Sequence, residues 1–345
     1  MKKRILISVS AILLLAVLFA LCSALVVPKY TDEKQLEGRL IGEYYENAGG
    51  HDVIFIGDCE VYESFVPAVM WEKYGISSYI RGSSQQLAWH SYYILEETFK
   101  YESPKAVVFN VLALKYGEPQ NEAYNRMTLE GMRWSGSKVR AIAASMTEDE
   151  SFLDYVFPLL RYHSRITELT GDDIKYAFRD PSAVSHSGYL MQTNVVPMPV
   201  GDMWGETLDD YTLPEGSMEY LERMRVLCEE NDCELILVKA PTNSWRYWWY
   251  DQWEEQIDAY AEEKGLAYYN FIPLCEDIGI DWSQDTYDGG LHLNVYGAEK
   301  LSYYFGEILA ETHKLPDRRG EAELSAQWQG RVSKYYEDKN LRESE

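Results

Sequence analysis

Five short apolar runs recur along the chain, separated by longer segments in which apolar residues follow a helical period. The runs lie at 53–57, 77–82, 106–111, 234–241 and 267–271. The helical segments lie at roughly 86–101, 215–231, 250–264 and 296–312. Continuous apolar runs such as AVVFNV are typical of strands that are buried on both faces. The pattern therefore predicts a parallel sheet that is covered by helices.

This alternation predicts an α/β fold, a doubly wound flavodoxin-like sandwich whose five parallel strands have the order 2-1-3-4-5. The domain is expected to span residues 30–312. Residues 112–215, between the third and fourth runs, are far more than a crossover needs, so we interpret them as a large insertion after strand 3. The region 315–345 is a charged C-terminal tail, which we expect to be an exposed or partly helical appendage.

The insertion follows the third strand at the edge where a site would lie. Its Arg126, Arg133 and Trp134 are side chains of types that often bind ligands. Because loops at this edge carry function in such folds, we expect part of residues 112–215 to cover the site.

The N-terminus has a basic triplet, Lys2 to Arg4, before an uncharged apolar run at 5–27. As a helix this run is about 35 Å long, and the hydrocarbon core that it would cross is about 30 Å thick. We predict a transmembrane signal anchor at 5–27 with residues 1–4 in the cytoplasm, because positive charges stay on that side. The rest of the chain would then lie outside the cell membrane.

Two other interpretations of the N-terminus remain open. A cleaved signal peptide could end near Cys22-Ser23-Ala24, although the apolar run continues to Val27. A lipoprotein attached through Cys22 is disfavoured because the bulky Leu21 precedes it, where a small residue is wanted.

Charge and cysteine content exclude several classes of protein. The formal net charge of −24 argues against binding nucleic acid, which needs clustered Lys and Arg. The four cysteines outside the apolar run are too few and too irregular for a disulfide framework, although Cys228 and Cys233 could pair. Neither a metal site nor a cofactor is predicted, since no Cys-x-x-Cys spacing occurs.

Polar residues stand where several of the predicted strands end. The first strand ends in Gly57-Asp58-Cys59, the second in Arg81-Gly82-Ser83 and the third in Asn110. Asp288 and His292 follow in a loop before the last helix. Since the carboxyl ends of parallel strands share one edge of the sheet, we expect these groups to form one site.

These residues, in this order, resemble the blocks of the SGNH/GDSL hydrolase superfamily, over roughly residues 52–312. The resemblance places Cys59 on the family's nucleophilic Ser, Gly82 on its Gly, Asn110 on its Asn and His292 on its His. Two features depart from the family. Its acid usually lies three residues before the His, whereas Asp288 lies four before, and Asp285 is the poorer candidate. FNVLAL also lacks the Asp that commonly follows the Asn.

The resemblance implies a catalytic triad of Cys59, His292 and Asp288. Backbone N–H groups of Cys59 and Gly82 and the amide of Asn110 would form the oxyanion hole. A nearby His and the helix N-terminus are expected to lower the pKa of the thiol. Two alternatives stand beside a Cys nucleophile: a relic that keeps only a binding pocket, and a buried small hydrophobic residue.

Four further residues are candidates for contacts with substrate: Asp58, Glu60, Lys239 and Trp245. Trp245 belongs to the segment 243–256, which is rich in Trp and Tyr. Aromatic faces stack on sugar rings, which favours a glycan groove, whereas their helical spacing favours packing onto the sheet.

Taken with the anchor, the resemblance implies an extracytoplasmic esterase or O-acyltransferase acting on ester-linked acyl groups, with acetyl favoured, of a cell-envelope glycan. Similar anchored proteins include alginate O-acetyltransferases and the D-alanyl transfer protein of the teichoic acid pathway. They imply a polytopic membrane acyltransferase as a partner. The alternative is a membrane-anchored glycan-binding or assembly protein with a degenerate pocket.

Overall fold

The computed structural model describes residues 2–27, 38–178, 183–197, 205–244 and 248–344. The strands are β1 (Val53–Gly57), β2 (Ser78–Gly82), β3 (Ala106–Asn110), β4 (Glu234–Lys239) and β5 (Ala267–Asn270). They form one sheet of order 2-1-3-4-5, and all four pairings are parallel. The predicted α/β fold and strand order are therefore confirmed.

Helices form most of the connections between the strands, and further helices precede β1 and follow β5 in the chain. Those before β4 are α1 (Lys2–Val26), α2 (Arg39–Asn47), α3 (Cys59–Ser64), α4 (Pro67–Tyr74), α5 (Ala88–Thr98), α6 (Glu122–Leu129), α7 (Gly136–Ser145), α8 (Phe152–Val156), α9 (Pro158–Tyr162), α10 (Gly171–Phe178) and α11 (Glu215–Glu230). Those after β4 are α12 (Asp251–Lys264), α13 (Cys275–Ile278), α14 (Val295–Glu311) and α15 (Ala322–Glu343). Two 3-10 helices cover Val111–Lys115 and His163–Thr167.

The sheet separates two hydrophobic cores, because successive side chains of a strand point to opposite faces. In β1, Ile54 and Ile56 pack with α5, α7, α11 and α12. Val53 and Phe55 face the other side, with α3, α4, α14 and α15. Every residue of β1, β2 and β3 is buried. This burial on both faces explains why β1 and all of β3 before Asn110 are apolar.

The C-terminal region is part of the fold and not an exposed appendage. Trp328 of α15 is 1% exposed and stacks on Trp71 of α4, with ring centroids 5.2 Å apart. Tyr335 is also buried and donates a hydrogen bond to Glu299 of α14 at 2.6 Å. The charges that made this region look exposed lie on the outer face of an amphipathic helix. Truncating a buried Trp costs about 3–5 kcal/mol, so α15 contributes to stability.

The insertion divides between two places. Its first residues form the 3-10 helix Val111–Lys115 at the carboxyl edge of the sheet, and residues 189–197 run beside the loop that carries His292. Arg126, Arg133 and Trp134 instead contact other side chains of the protein. The guanidinium of Arg133 lies over the ring of Tyr45, and Nζ of Lys138 lies over the ring of Trp134. Arg126 is buried between Glu122 and Glu130, which are its salt-bridge partners. Part of the insertion therefore borders the site, but these three residues have structural contacts.

Candidate functional site

The turn after β1 presents Cys59. Gly57, the last residue of β1, has φ of 151°, and a Cβ there would lie 2.6 Å from Cγ2 of Val61. Asp58 caps α3 by accepting a hydrogen bond from the backbone N–H of Glu60 at 3.2 Å. Cys59 is the first residue of α3 and lines a cleft at the carboxyl edge of the sheet. Glycine is thus required at the point where the chain turns sharply to present the thiol.

His292 is held in a loop before α14. Asn294 caps α14 by accepting hydrogen bonds from the N–H groups of Tyr296 and Gly297, and its amide donates to the carbonyl of Gln284. Nδ1 of His292 lies 2.6 Å from Oδ2 of Asp288, whose other oxygen accepts from the backbone N–H of His292 at 2.9 Å. Asp288 therefore fixes both the ring and the backbone of His292.

The thiol of Cys59 and the ring of His292 are close enough to shift each other's pKa: the imidazole lowers the pKa of the thiol, and the thiol raises the pKa of the imidazole. Nδ1 of the ring faces Asp288, so Nε2 is the ring nitrogen left to exchange a proton with the thiol. Asp285, the weaker candidate for the acid, instead forms a salt bridge with Lys300 at 2.6 Å. The structure brings Cys59, His292 and Asp288 together in the order that a triad requires.

A second carboxylate, which the sequence analysis missed, also faces the imidazole. Oε2 of Glu63 lies 3.3 Å from Nδ1 of His292, and Oε1 accepts a hydrogen bond from the hydroxyl of Tyr287 at 3.0 Å. Burial raises the pKa of Glu63 to about 7, against the lowering effects of His292 and Tyr287. Glu63 is four residues after Cys59 in α3, so helical spacing was the signal that could have revealed it.

The protonation of the pair differs from the expectation. Burial raises the pKa of the Cys59 thiol, and the charge and hydrogen bond of His292 only partly oppose this. Burial acts to lower the pKa of His292, but Glu63, Cys59 and Asp288 outweigh it and hold the pKa well above 6.5. Burial therefore favours the thiol over the thiolate, while the carboxylates Glu63 and Asp288 favour a proton on the imidazole. The expected lowering of the thiol pKa was wrong because burial dominates.

The cleft beside Cys59 is narrow. It is lined by Asp58, Cys59, Gln85, Gln86, Leu87, Leu112, Ala113 and Tyr116. Its volume of about 10 Å³ is close to the room that one water molecule needs. Gly82 pairs with Gly57 across β1 and β2, and a Cβ on Gly82 would lie 3.1 Å from the carbonyl oxygen of Gly57. The absence of a side chain at Gly82 lets the two strand ends approach.

Asn110 lies beneath the cleft and is fully engaged in hydrogen bonds. Its amide nitrogen donates to Oδ1 of Asp58 at 3.1 Å and to Oε2 of Glu60 at 2.9 Å. Its oxygen accepts from the N–H of Ala240 at 3.0 Å. An amide has two N–H donors, so both are already directed at carboxylates. In this conformation Asn110 positions the turn after β1, and it gives no donor to an oxyanion.

Glu60 and Lys239 form a buried ion pair under the site. Nζ of Lys239 lies 2.8 Å from both carboxylate oxygens of Glu60, and the two side chains are 0% and 1% exposed. Groups this deeply buried do not fit the contacts with substrate that the sequence suggested for them. Asp58 does line the cleft, and burial raises its pKa to about 7. Trp245 lies outside the described residues.

Lys115 is a second residue that the sequence analysis missed. It ends the 3-10 helix after β3, and burial lowers its pKa to about 8. Its charge interacts with Glu60, Asp58 and Cys59. It is therefore a cation close to the thiol.

The aromatic segment after β4 packs against the domain where it is described. Trp249 and Trp253 are buried, and Nε1 of Trp249 donates to Glu254 at 2.6 Å. Both belong to the core on the α12 side of the sheet. The packing alternative is therefore correct for these two residues.

No protein-family model and no curated protein matches the chain. Among solved structures, it is similar to a protein assigned to the lipolytic G-D-S-L family from Desulfitobacterium hafniense. The identity is 14% and the TM-score 0.37, over 75% of this chain and 100% of the other. It is also similar to a GDSL-like lipase from Bacteroides thetaiotaomicron, with 11% identity and a TM-score of 0.36, over 78% of this chain and 90% of the other. Those names describe the two other proteins, and the chemistry of this chain rests on its own side chains.

Proposed function

We propose that the chain is an extracytoplasmic acyl esterase or O-acyltransferase in which Cys59 is the nucleophile. One observation carries the proposal: the Cys59 thiol interacts with His292, whose Nδ1 lies 2.6 Å from Oδ2 of Asp288. A nucleophile, a base and an orienting acid in this relation are the parts that acyl transfer needs.

The reaction proceeds through a thioester. The reactive form has a neutral His292, and in it Sγ of Cys59 attacks the acyl carbonyl carbon while its proton passes to Nε2 of His292. The tetrahedral intermediate collapses, the bond to the alcohol oxygen breaks, and that oxygen takes the proton from Nε2. A second hydroxyl, from water or a glycan, attacks the thioester and gives its proton to Nε2. The thiol leaves and recovers the proton, so the enzyme returns to its starting state.

The oxyanion of each tetrahedral intermediate needs donors. The backbone N–H groups of Cys59 and Gly82 are at the carboxyl edge and suit this role. Lys115 adds positive potential from the 3-10 helix after β3. Since Asn110 is held by Asp58 and Glu60, we assign it to positioning the turn.

The narrow cleft supports a short acyl group, such as acetyl, over a long one. A cell-envelope glycan is the proposed acceptor or donor, and a polytopic membrane acyltransferase is the proposed partner. Both the glycan and the acyltransferase are consistent with a protein that is anchored in the membrane. Among the described residues, α1 is long and apolar enough to cross a membrane, and Lys2 to Arg4 precede the apolar run. We therefore propose a single-pass protein with a cytoplasmic N-terminus.

The test is hydrolysis of p-nitrophenyl acetate by the full chain in lipid nanodiscs, with intact-protein mass spectrometry to detect an acyl-enzyme. Cys59→Ala should abolish both signals. Cys275→Ala is the matched control, because Cys275 is a half-buried thiol outside the site, and it should keep both. Full activity in Cys59→Ala would refute the assignment of the nucleophile. If the wild type neither hydrolyses the ester nor becomes acylated, the chain is instead a non-catalytic binding protein.

A further inference from the structure

The insertion carries a set of exposed apolar side chains on its short helices. They lie on α8, on the loop into α9, on α9, on the second 3-10 helix and on α10, and each is between 40% and 57% exposed. We call this set the apolar patch: Leu153, Phe157, Leu160, Ile166 and Ile174. Scattered exposed apolar residues are normal on a protein surface, but a contiguous apolar patch marks a binding surface. The short helices that carry these residues pack on one another or on α1.

The apolar patch lies directly against the N-terminal helix. The rings of Phe19 in α1 and Phe157 in the patch meet edge to face, with centroids 5.5 Å apart. Arg165, beside the patch residue Ile166, donates a hydrogen bond to the carbonyl of Val26 at 2.8 Å. Val26 is the last residue of α1, so this guanidinium caps one of the carbonyls that a helix leaves unpaired at its end.

The contact with Phe19 sets a depth. Phe19 precedes Val26 by seven residues, which is about 10 Å along a helix. Helices that lie in a membrane interface bury their apolar face by about 5–10 Å. If α1 crosses the bilayer, then Phe157, at the level of Phe19, is at the depth that an interfacial helix reaches.

Two arginines near the patch are held by partners on the protein. Arg161 donates to Glu122 of α6 at 2.7 Å. Arg165 also donates to Asp173 of α10 at 3.1 Å. Such pairing lowers the cost of bringing these cations close to hydrocarbon.

We propose that the apolar patch inserts into the outer leaflet and binds lipid acyl chains, so that the catalytic domain rests on the membrane beside its own anchor. Lipid is favoured over a protein partner because the patch continues the exposed apolar surface of α1, which includes Leu14, Leu15 and Leu18. The exposed apolar surface of α1 needs hydrocarbon around it, and the apolar patch would share that environment. The inference depends on the anchor lying in a bilayer and is independent of the chemistry at Cys59.

The experiment is depth-dependent quenching in the full chain, reconstituted in phosphatidylcholine and phosphatidylglycerol vesicles. Cys22 and Cys275 are the native cysteines that are not buried, so Cys22→Ala with Cys275→Ala gives a background that should label weakly. Leu160→Cys in this background is labelled with an NBD fluorophore. Lipids that carry a doxyl group on the acyl chain are then added as quenchers.

Two matched labels make the result decisive. Leu341 of α15 is 56% exposed, as compared with 52% for Leu160, so Leu341→Cys is the control for an exposed leucine away from the patch. Cys22 itself, kept in a Cys275→Ala chain, reports whether α1 is in the bilayer. We expect quenching at positions 160 and 22 to be at least about threefold stronger than at position 341.

The outcomes separate the possibilities. Strong quenching at positions 22 and 160 supports the proposal. Strong quenching at position 22 with none at position 160 overturns the docking surface while leaving the anchor intact. Weak quenching at both positions overturns the anchor and with it the docking surface. Protection of Leu160→Cys from a water-soluble maleimide in native membranes, but not in the purified vesicles, would identify a protein partner and also overturn the proposal. None of these readouts uses enzyme activity, so they stand apart from the test of Cys59.

Discussion

Two clusters of ionisable groups meet at α3, one at Glu60 and the other at Cys59 and Glu63, and they differ in how their charges are balanced. Beneath the cleft, Glu60 is matched by Lys239 and by the amide of Asn110, and both charged side chains are almost fully buried. At the cleft, one imidazole is shared by Asp288, Glu63 and the Cys59 thiol. In the first cluster Lys239 neutralises Glu60, and the pair has a structural role. The second cluster has two carboxylates and a thiol around a single imidazole, so a proton can pass between the thiol and the ring.

The strongest test of this difference is to remove the buried cation. Lys239→Met would leave Glu60 charged and unpaired in the interior, which costs about 3–5 kcal/mol of the free energy of unfolding. Thermal and denaturant unfolding of the full chain measure this. The double variant Lys239→Met with Glu60→Met should recover most of the loss. If the single variant is as stable as the wild type, Lys239 is not needed to neutralise Glu60.

The next effect falls on activity. Asp288→Asn removes the acceptor that orients His292 and should lower kcat/KM by about 100-fold to 1000-fold, or roughly 3–4 kcal/mol. Stability should change little because Asp288 is only partly buried. Asp285→Asn is the matched control, since that carboxylate pairs with Lys300, and it should lose stability while keeping kcat/KM. Equal losses of activity in the two variants would place the acid elsewhere.

The pH dependence of activity probes Glu63. A raised pKa of His292 means that the ring stays protonated until the pH exceeds that value, so the rising limb of kcat/KM should lie above 6.5. Glu63→Gln removes a negative charge that raises this pKa, and the limb should move to lower pH by about one unit, or 1.4 kcal/mol. If the rising limb of kcat/KM lies at the same pH in the wild type and in Glu63→Gln, Glu63 does not raise the pKa of His292.

The smallest expected effect belongs to Lys115. Lys115→Met should lower kcat by about fivefold, because a cation near the thiol stabilises the developing oxyanion through space. Lys115→Arg keeps the charge and should recover most of the rate. If both variants lose the same activity, Lys115 contributes shape and not charge.

The sequence predicted the sheet well because its central strands β1, β3 and β4 are almost entirely buried. A strand such as β3 has no polar face, and its apolar run ends at the residue where the strand ends. Asp288 and His292 could also be predicted, since a loop before the last helix of such a sheet lies at its carboxyl edge.

Other features depend on contacts that no local pattern carries. Trp328 looked like part of a charged tail because its partner, Trp71, is far away in sequence. Lys115 reaches the thiol only because a 3-10 helix follows β3. The engagement of Asn110 is set by the side chains of Asp58 and Glu60, which meet it across the sheet edge. The spacing of residues in the sequence predicts the order in which these groups occur along the chain. Tertiary packing decides which partner each group bonds to.

The burial of Cys59 has a consequence for how long the protein survives. Oxidants and disulfides react with the thiolate and hardly at all with the neutral thiol. Outside the cytoplasm, where no thiol pool restores a damaged cysteine, an ionised nucleophile would be lost to sulfenic acid or to mixed disulfides. Because burial raises the pKa of Cys59 and leaves only 7% of the residue exposed, the sulfur remains protonated and shielded at rest. In the extracytoplasmic location proposed above, the thiol would therefore be protected, since its reactivity appears only when its proton moves to His292.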